Sequence, residues 1–365
     1  MTGRSGPPFR ADHVGSLLRP PSLLDLRSRA SRGEVSPQAL RAREDECIRD
    51  VVALQESLGL QSITDGEYRR ESFHGDFMRR IEGVEFKLMP AGASPSGGPF
   101  VAFVTGRMRR PAVGLEVENF RYLSSLTSRT AKQTMPSPTM THFRGGRGAI
   151  DLAAYPDMDD FFADLARLYR EEIAALGEAG CRYLQLDDTN LAYLCDEEIR
   201  ARLRERGEDV ERLPQDYARL INESIRGRPD EMAVCVHLCR GNARSRWFAQ
   251  GGYEPVAEIL FDELAVDGFF LEYDDERSGD FAPLRFVPKS KAVVLGLVTS
   301  KRGELEEADT VMRRVEEAAR YLPLEQLCLS PQCGFASASE GNLLTEDDEK
   351  RKLALIVELA ERIWG

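Results

Sequence analysis

The sequence predicts an α/β fold, a parallel barrel of eight strand–helix units, and three observations predict it. Helical stretches alternate with short, continuously apolar runs over most of the chain, the pattern of a parallel sheet buried on both faces. Eight such runs begin near residues 11, 60, 132, 181, 233, 268, 292 and 327, the number that closes a (β/α)8 (TIM) barrel. None is followed by the Gly-x-Gly-x-x-Gly turn of an open dinucleotide-binding sheet.

The elements follow in order. Met1–Pro8 has no apolar signal core and reads as a disordered lead-in, leaving residues 9–365 as one domain. Phe9 to Pro20 gives a short strand ending near Gly15–Ser16, then a proline-marked turn. Ser36–Pro37 opens a helix, with serine as the cap and proline in the first turn. Its apolar side carries Leu40, Ile48, Val51, Leu54 and Leu58, and Gly59 ends it. A second strand runs from Leu60 into the polar cluster Thr64-Asp65-Gly66-Glu67. The unit then recurs: helices over 161–179, 214–225, 255–264, 304–321 and 345–364, strands from 181, 233, 268, 292 and 327. Residues 68–131 interrupt the pattern and read as an insertion after the second strand, a candidate lid. Within it Pro90–Pro99 is a flexible loop, and 100–105 is expected to pair with 112–117 as a hairpin.

Composition narrows the partners. The 365 residues carry a net charge of -12 and are 42% hydrophobic, enough for a large core. Lys and Arg are interleaved with acids rather than clustered, which argues against nucleic acid. No run of about 18 apolar residues marks a membrane span. Seven cysteines, an odd number, in a long chain without a secretion signal point to free thiols in a reducing cytoplasm.

Barrels of this class build their sites at the C-terminal ends of the strands, and this chain places reactive residues there repeatedly: Ser16, Asp65 and Glu67, Asp187 and Asp188, His237 and Cys239, Glu272 and Asp274, Cys333. Taken singly each has a bland reading. A lone cysteine at a strand end is more often packing than ligand, and Asp187–Asp188 equally reads as a helix cap. Glu272 is harder to dismiss, because it follows a buried run where an unpaired carboxylate is costly. His237 and Cys239, two apart, share one face of their strand. Convergence raises the odds for the group: three strands would bring His237, Cys239, Glu272 and Cys333 to one rim, a tetrahedral set suited to zinc.

At these residues the chain resembles the catalytic half of cobalamin-independent methionine synthases, in their short single-domain bacterial branch. The resemblance runs from His13-Val-Gly-Ser16 to the C-terminal helix and rests on Thr64-Asp-Gly-Glu67, Leu184-Gln-Leu-Asp-Asp188, His237-Leu-Cys239, Phe270-Leu-Glu-Tyr-Asp274 and Ser330-Pro-Gln-Cys-Gly334 together. It implies catalytic zinc on His237, Cys239, Glu272 and Cys333. Of these the carboxylate is the natural ligand to yield, since the net charge is unchanged when a thiolate replaces it, so Glu272 is expected to give way to the incoming thiol. It implies that Gly15 and Ser16 take the carboxylate of an amino acid thiol, homocysteine, and that Glu67 and Asp187 take its ammonium. The thiolate, the nucleophilic form, would then accept a methyl group.

The chain also departs from the long enzymes. Their N-terminal half is absent, and His142 and Phe143 stand near the place of a folate-stacking tryptophan. Thr299-Ser-Lys-Arg302 replaces a His-Ser tied to protonation of the leaving group, with Lys301 as the substitute donor. Methyl-tetrahydrofolate, a methylated corrinoid protein and another electrophile such as an epoxide therefore all stay open as donors. The competing classes are a metal-free decarboxylase barrel and a non-catalytic zinc or thiol store.

Overall fold

The computed structural model describes residues 4–88, 100–242 and 244–365. Seven parallel strands form one curled sheet in the order β1 (Ser62–Ile63), β4 (Thr130–Pro136), β5 (Tyr183–Asp188), β6 (Ala233–Leu238), β7 (Gly268–Glu272), β8 (Ala292–Val298), β9 (Leu327–Pro331). The antiparallel pair β2 (Glu82–Leu88) and β3 (Phe100–Arg109) stands apart from it. The eighth stave is the segment from Phe9 to Leu17. On one side it exchanges backbone bonds with Leu329 of β9, at 2.8 and 3.0 Å. On the other it meets the β1 region through Ser62, Thr64 and Gly66. The fold is thus the expected α/β barrel.

Only one isolated bridge, Ala11 to Leu329, marks that stave as β structure. Side chains supply the pairing that a ladder would otherwise give. The Asp12 carboxylate is fully buried and accepts from Ser62 Oγ, Tyr183 Oη, Lys132 Nζ and the backbone N–H groups of Phe9 and His13. Lys132 also donates to His13 O and lies over the rings of Phe270 and Tyr183, 4.1 and 4.9 Å from their centroids. Around this ionic plug the barrel interior is packed by Val14, Tyr183, Cys235, Phe270, Val294 and Cys328. A larger apolar cluster fills the space between strands and helices.

Several expected elements take a different form. Ser36 caps the Pro37–Ser57 helix through Ala39 N–H, as its sequence suggests. The proline pair at 20–21 opens a helix, Pro21–Ser31, rather than a turn, because proline is well tolerated in a helix's first turn. The 255–264 stretch is helical from Glu254 to Glu263 as expected, but it winds tightly over Glu254–Val256 and widely over Ile259–Glu263 rather than as a regular α-helix. Of the lead-in, residues 4–8 are placed, and Pro8 is buried beneath the barrel with its carbonyl 3.8 Å from Cys328 Sγ.

The hairpin expectation needs correction. β3 pairs with β2, and residues 112–117 form no strand. The buried Glu172 explains it, since its carboxylate accepts from the backbone N–H groups of Leu115 and Glu116 and pairs with Arg110. These donors are therefore spent on a side chain rather than on a neighbouring strand. The Val117–Leu126 helix that follows packs on β4 and between the flanking helices, so the 68–131 stretch contains one of the barrel's own helices as well as the β2–β3 excursion. The loop expected over Pro90–Pro99 lies outside the described residues.

Lys132→Met leaves the Asp12 carboxylate buried without its counter-charge, which should cost about 3–5 kcal/mol of unfolding free energy. Adding Asp12→Asn should recover part of that loss, as measured by urea titration of the two variants.

Candidate metal centre and substrate pocket

On β6 the two-residue period sends Cys235, His237 and Cys239 to one face. Cys235 stays in the packed interior, where burial pushes its thiol up. His237 lies level with Asp187 of β5 and Phe270 of β7. The Cys239 N–H donates to Asp188 O at 3.0 Å, which carries the ladder one residue beyond β6. Cys333 arrives from the far side after β9, its neighbour Gln332 donating to Val298 O at 2.8 Å.

The structure brings these three side chains together. The Cys239 and Cys333 sulfurs are 3.3 Å apart, and the ligand atoms of His237, Cys239 and Cys333 all lie within 4.8 Å of one another. All three residues are buried, and neither ring nitrogen of His237 has a hydrogen-bond partner. Buried orphans of this kind are rare and call for a missing partner. One imidazole nitrogen and two sulfurs over this span fit a tetrahedral ion with ligand distances of about 2.0–2.3 Å. The Cys239 S–H, with His237 and Lys301 nearby, holds Cys333 well below the ordinary thiol range against the opposing effect of burial. Burial works against the charged form of His237, yet Cys333, Asp187 and Glu272 outweigh it and raise the imidazole.

Glu272, at the end of β7, is fully buried and not among the three clustered ligands. Its Oε1 accepts from Arg240 N–H at 3.1 Å and its Oε2 from Arg277 Nη2 at 3.0 Å. Lys301 is tied to Asp274 at 3.2 Å and does not line the cavity.

Beside the triad stands a second group. Gly66 and Glu67 both adopt left-handed backbone, at φ 65° and 59°, and Glu67 N–H donates to Asp65 Oδ1 at 2.8 Å. Glu67 Oε1 accepts from Thr134 Oγ1 at 2.8 Å and lies 3.3 Å from Arg70, while its Oε2 is buried without a partner. Asp187 Oδ1 accepts from Gln185 Nε2 at 2.6 Å. Burial, then the charge of Glu67, raises Asp187 to about 7; burial also raises Glu67. Two glycines keep the rim open. A Cβ on Gly334 would stand 2.0 Å from Ser16 Oγ, and one on Gly15 (φ 133°) 2.6 Å from Thr134 Cγ2.

One cavity of about 410 Å3 joins Ser16, Glu67, Asp187, His237, Cys239 and Cys333, a size typical of small-molecule sites. Its other wall comes from the 68–131 stretch, with Phe73, His74, Arg79, Phe86 and Phe100. Phe86 and Phe100 are stacked 5.5 Å apart at 13°, and the Arg79 guanidinium lies 5.3 Å from the Phe86 centroid.

Residues 10–361 match the family described as cobalamin-independent synthase, catalytic domain. The chain belongs to that family. It is 45% identical to the uncharacterized protein YxjH of Bacillus subtilis, over 98% of this chain and 95% of the relative. A methionine synthase of Pyrococcus abyssi is 23% identical over 88% of this chain and 85% of its own length. A solved structure titled putative vitamin-B12 independent methionine synthase, from Listeria monocytogenes, superposes with a TM-score of 0.80 at 42% identity, covering 98% of each chain.

Sequence reasoning missed three residues that shape the site of this family member. Arg70 holds Glu67 and donates to Thr134 Oγ1; its only signal was a place three residues after Glu67, just past the turn. His74 lines the cavity, 5% exposed, with Nε2 unpartnered and Nδ1 3.2 Å from Ser72 Oγ. It lies in the stretch read as an insertion. Arg277 reaches Glu272 from a loop that carries no motif.

Because Asp187 is raised above its ordinary range, its contribution to stability is present at low pH and lost as pH rises toward 7. Asp187→Asn should therefore raise the melting temperature of the substrate-free protein by a few degrees at pH 8, with a smaller gain at pH 5. The same variant should weaken binding of an amino acid thiol, as read by calorimetric titration.

Proposed function

We propose that the protein is a zinc-dependent thiol methyltransferase that converts homocysteine to methionine. One observation carries this reading. The atoms left unpartnered in the cavity, both nitrogens of His237 and Oε2 of Glu67, sit where a metal and a substrate ammonium would complete them. His237, Cys239 and Cys333 would hold the ion, and Glu272 would serve as the fourth, displaceable ligand. Zinc, when bound, lowers the pKa of a coordinated thiol and so supplies the sulfur as thiolate at neutral pH.

The chain's own residues do the rest. Glu67 and Asp187 receive the substrate ammonium, which repays the cost of holding two carboxyl groups in a buried site. The turn at Gly15 and Ser16 takes the substrate carboxylate through N–H and hydroxyl groups. With both ends fixed, the sulfur faces His237, Cys239 and Cys333, and this orientation is the main rate advantage that binding can give. The S–C bond forms as the bond from methyl carbon to its leaving atom breaks, the electron pair staying with that atom.

The aromatic wall of Phe73, Phe86 and Phe100 receives the donor, and the stretch that carries it acts as the lid. A stacked aromatic surface in a cavity of about 410 Å3 suits a small flat ring such as a pterin, which favours methyl-tetrahydrofolate over the much larger corrin macrocycle and over an epoxide, which has no flat ring system. The family match and the methionine synthase named among the relatives support the reaction class. All seven cysteines are free thiols, which fits work in the cytoplasm.

Purified anaerobically without chelators, the protein should carry about one zinc per chain; a metal-free preparation would sink the reading. Cys239→Ser should lose zinc and methionine formation together. Homocysteine offered with methyl-tetrahydrofolate, as mono- and triglutamate, should give methionine; product from methylcobalamin alone would transfer the donor assignment to corrinoids.

A further inference from the structure

The proposed fourth ligand is the one that the structure holds away from the other three. Glu272 is wholly buried, and each carboxylate oxygen is already given a donor: Oε1 takes Arg240 N–H at 3.1 Å, Oε2 takes Arg277 Nη2 at 3.0 Å. The backbone beneath is fixed as well. Glu272 N–H donates to Tyr253 Oη at 2.9 Å, and Tyr253 is gripped by Arg240, whose guanidinium lies 4.1 Å from the ring centroid. Only the carboxylate is left to choose between partners, and Arg277 is the strong one. Its side chain is 7% exposed, anchored also by Asp274 at 3.2 Å and by Asp275, with its guanidinium 5.6 Å from the Trp247 centroid.

The geometry points to Arg277 as a positioning residue that competes with the metal for Glu272 and catches the carboxylate when the substrate sulfur displaces it. This rests on the zinc and thiol reading above. A buried carboxylate released from a cation must find another or take up a proton. Arg277 removes that need, since the carboxylate passes from one positive charge to another without protonation. The cost is a weaker hold on the metal at rest. Arg277 therefore trades zinc affinity for an open ligand position, which a supporting outer partner would not do, because such partners raise affinity.

The test uses the zinc-loaded full chain and two equilibrium readouts. In Arg277→Gln the zinc dissociation constant, measured by competition with a chelating dye, should fall about 10-fold, and the homocysteine dissociation constant should rise about 10-fold. X-ray absorption should show the third sulfur joining zinc only at correspondingly higher homocysteine. Arg277→Lys, which keeps the charge and loses the fork, should move both constants the same way by less. In a Glu272→Gln background, Arg277→Gln should change neither constant further. Weaker zinc binding in Arg277→Gln with an unchanged homocysteine constant would make Arg277 a structural support and overturn the proposal, as would equal effects in the Glu272→Gln background. If wild-type protein exchanges its fourth ligand normally while both constants ignore Arg277, the proposal falls and the functional reading stands. If wild-type protein takes up no zinc, both fall.

Discussion

The barrel depends on one buried carboxylate. Asp12 sits where the first stave meets the last and the second, and it accepts from five donors drawn from its own segment, β4, β5 and the β1 region. A parallel barrel has no edge only if its first and last strands meet, and here the first is barely a strand. A short segment with one bridge has too few ladder bonds to fix its own height against its neighbours. Asp12 fixes it instead, and the height matters. Four residues on, Ser16 N–H and C=O are at the rim, Ser16 O accepts from Phe335, and Gly334 has no room for a Cβ beside Ser16 Oγ. The Gly15–Ser16 turn and the Cys333 segment are registered against each other through that contact.

Much of this was legible because a parallel sheet leaves few places for polarity. Both faces are buried, so charged and metal-binding side chains gather where strands end, and strand ends can be read from where apolar runs stop. The His237–Cys239 spacing and the stop after Phe270-Leu271 were visible for that reason. The first stave was visible as a run but not as an irregular one, since its pairing rests on side chains 50 and more residues away. The partner of β3 was illegible for the same reason. Nothing near 112–117 announces that Glu172 takes its backbone donors.

The residues missed at the site share one trait. Arg70, His74 and Arg277 do not stand at strand ends; Arg70 and Arg277 act on residues that do, and His74 lines the cavity beside them. Arg277 is only five positions beyond Glu272, yet the chain bends between them, and spacing says nothing about which of three nearby acids its fork will take. It takes all three. Period and composition locate groups that a fold displays; they do not locate groups that hold the displayed ones in place.

The site is costly to keep empty, and this is the firmest physical reason to read it as a binding site. Glu67 and Asp187 are both buried and both raised, first by burial; the charge of Glu67 raises Asp187 further, and Arg70 and Thr134 relieve Glu67 only in part. The sulfurs of Cys239 and Cys333 share a space too small for two thiolates without a cation. A core built for stability alone would place apolar side chains at both points, as the barrel interior does with Val14, Phe270 and Val294. The interior changes from apolar packing to uncompensated polarity within a single two-residue step along β6, from Cys235 to His237. Such a step costs stability in the empty protein, and on the function proposed above it is repaid by what would bind: a cation between the sulfurs and the imidazole, and an ammonium between the acids. The two needs lie in one cavity, so a single ligand that carries both an ammonium and a metal-seeking sulfur satisfies them together.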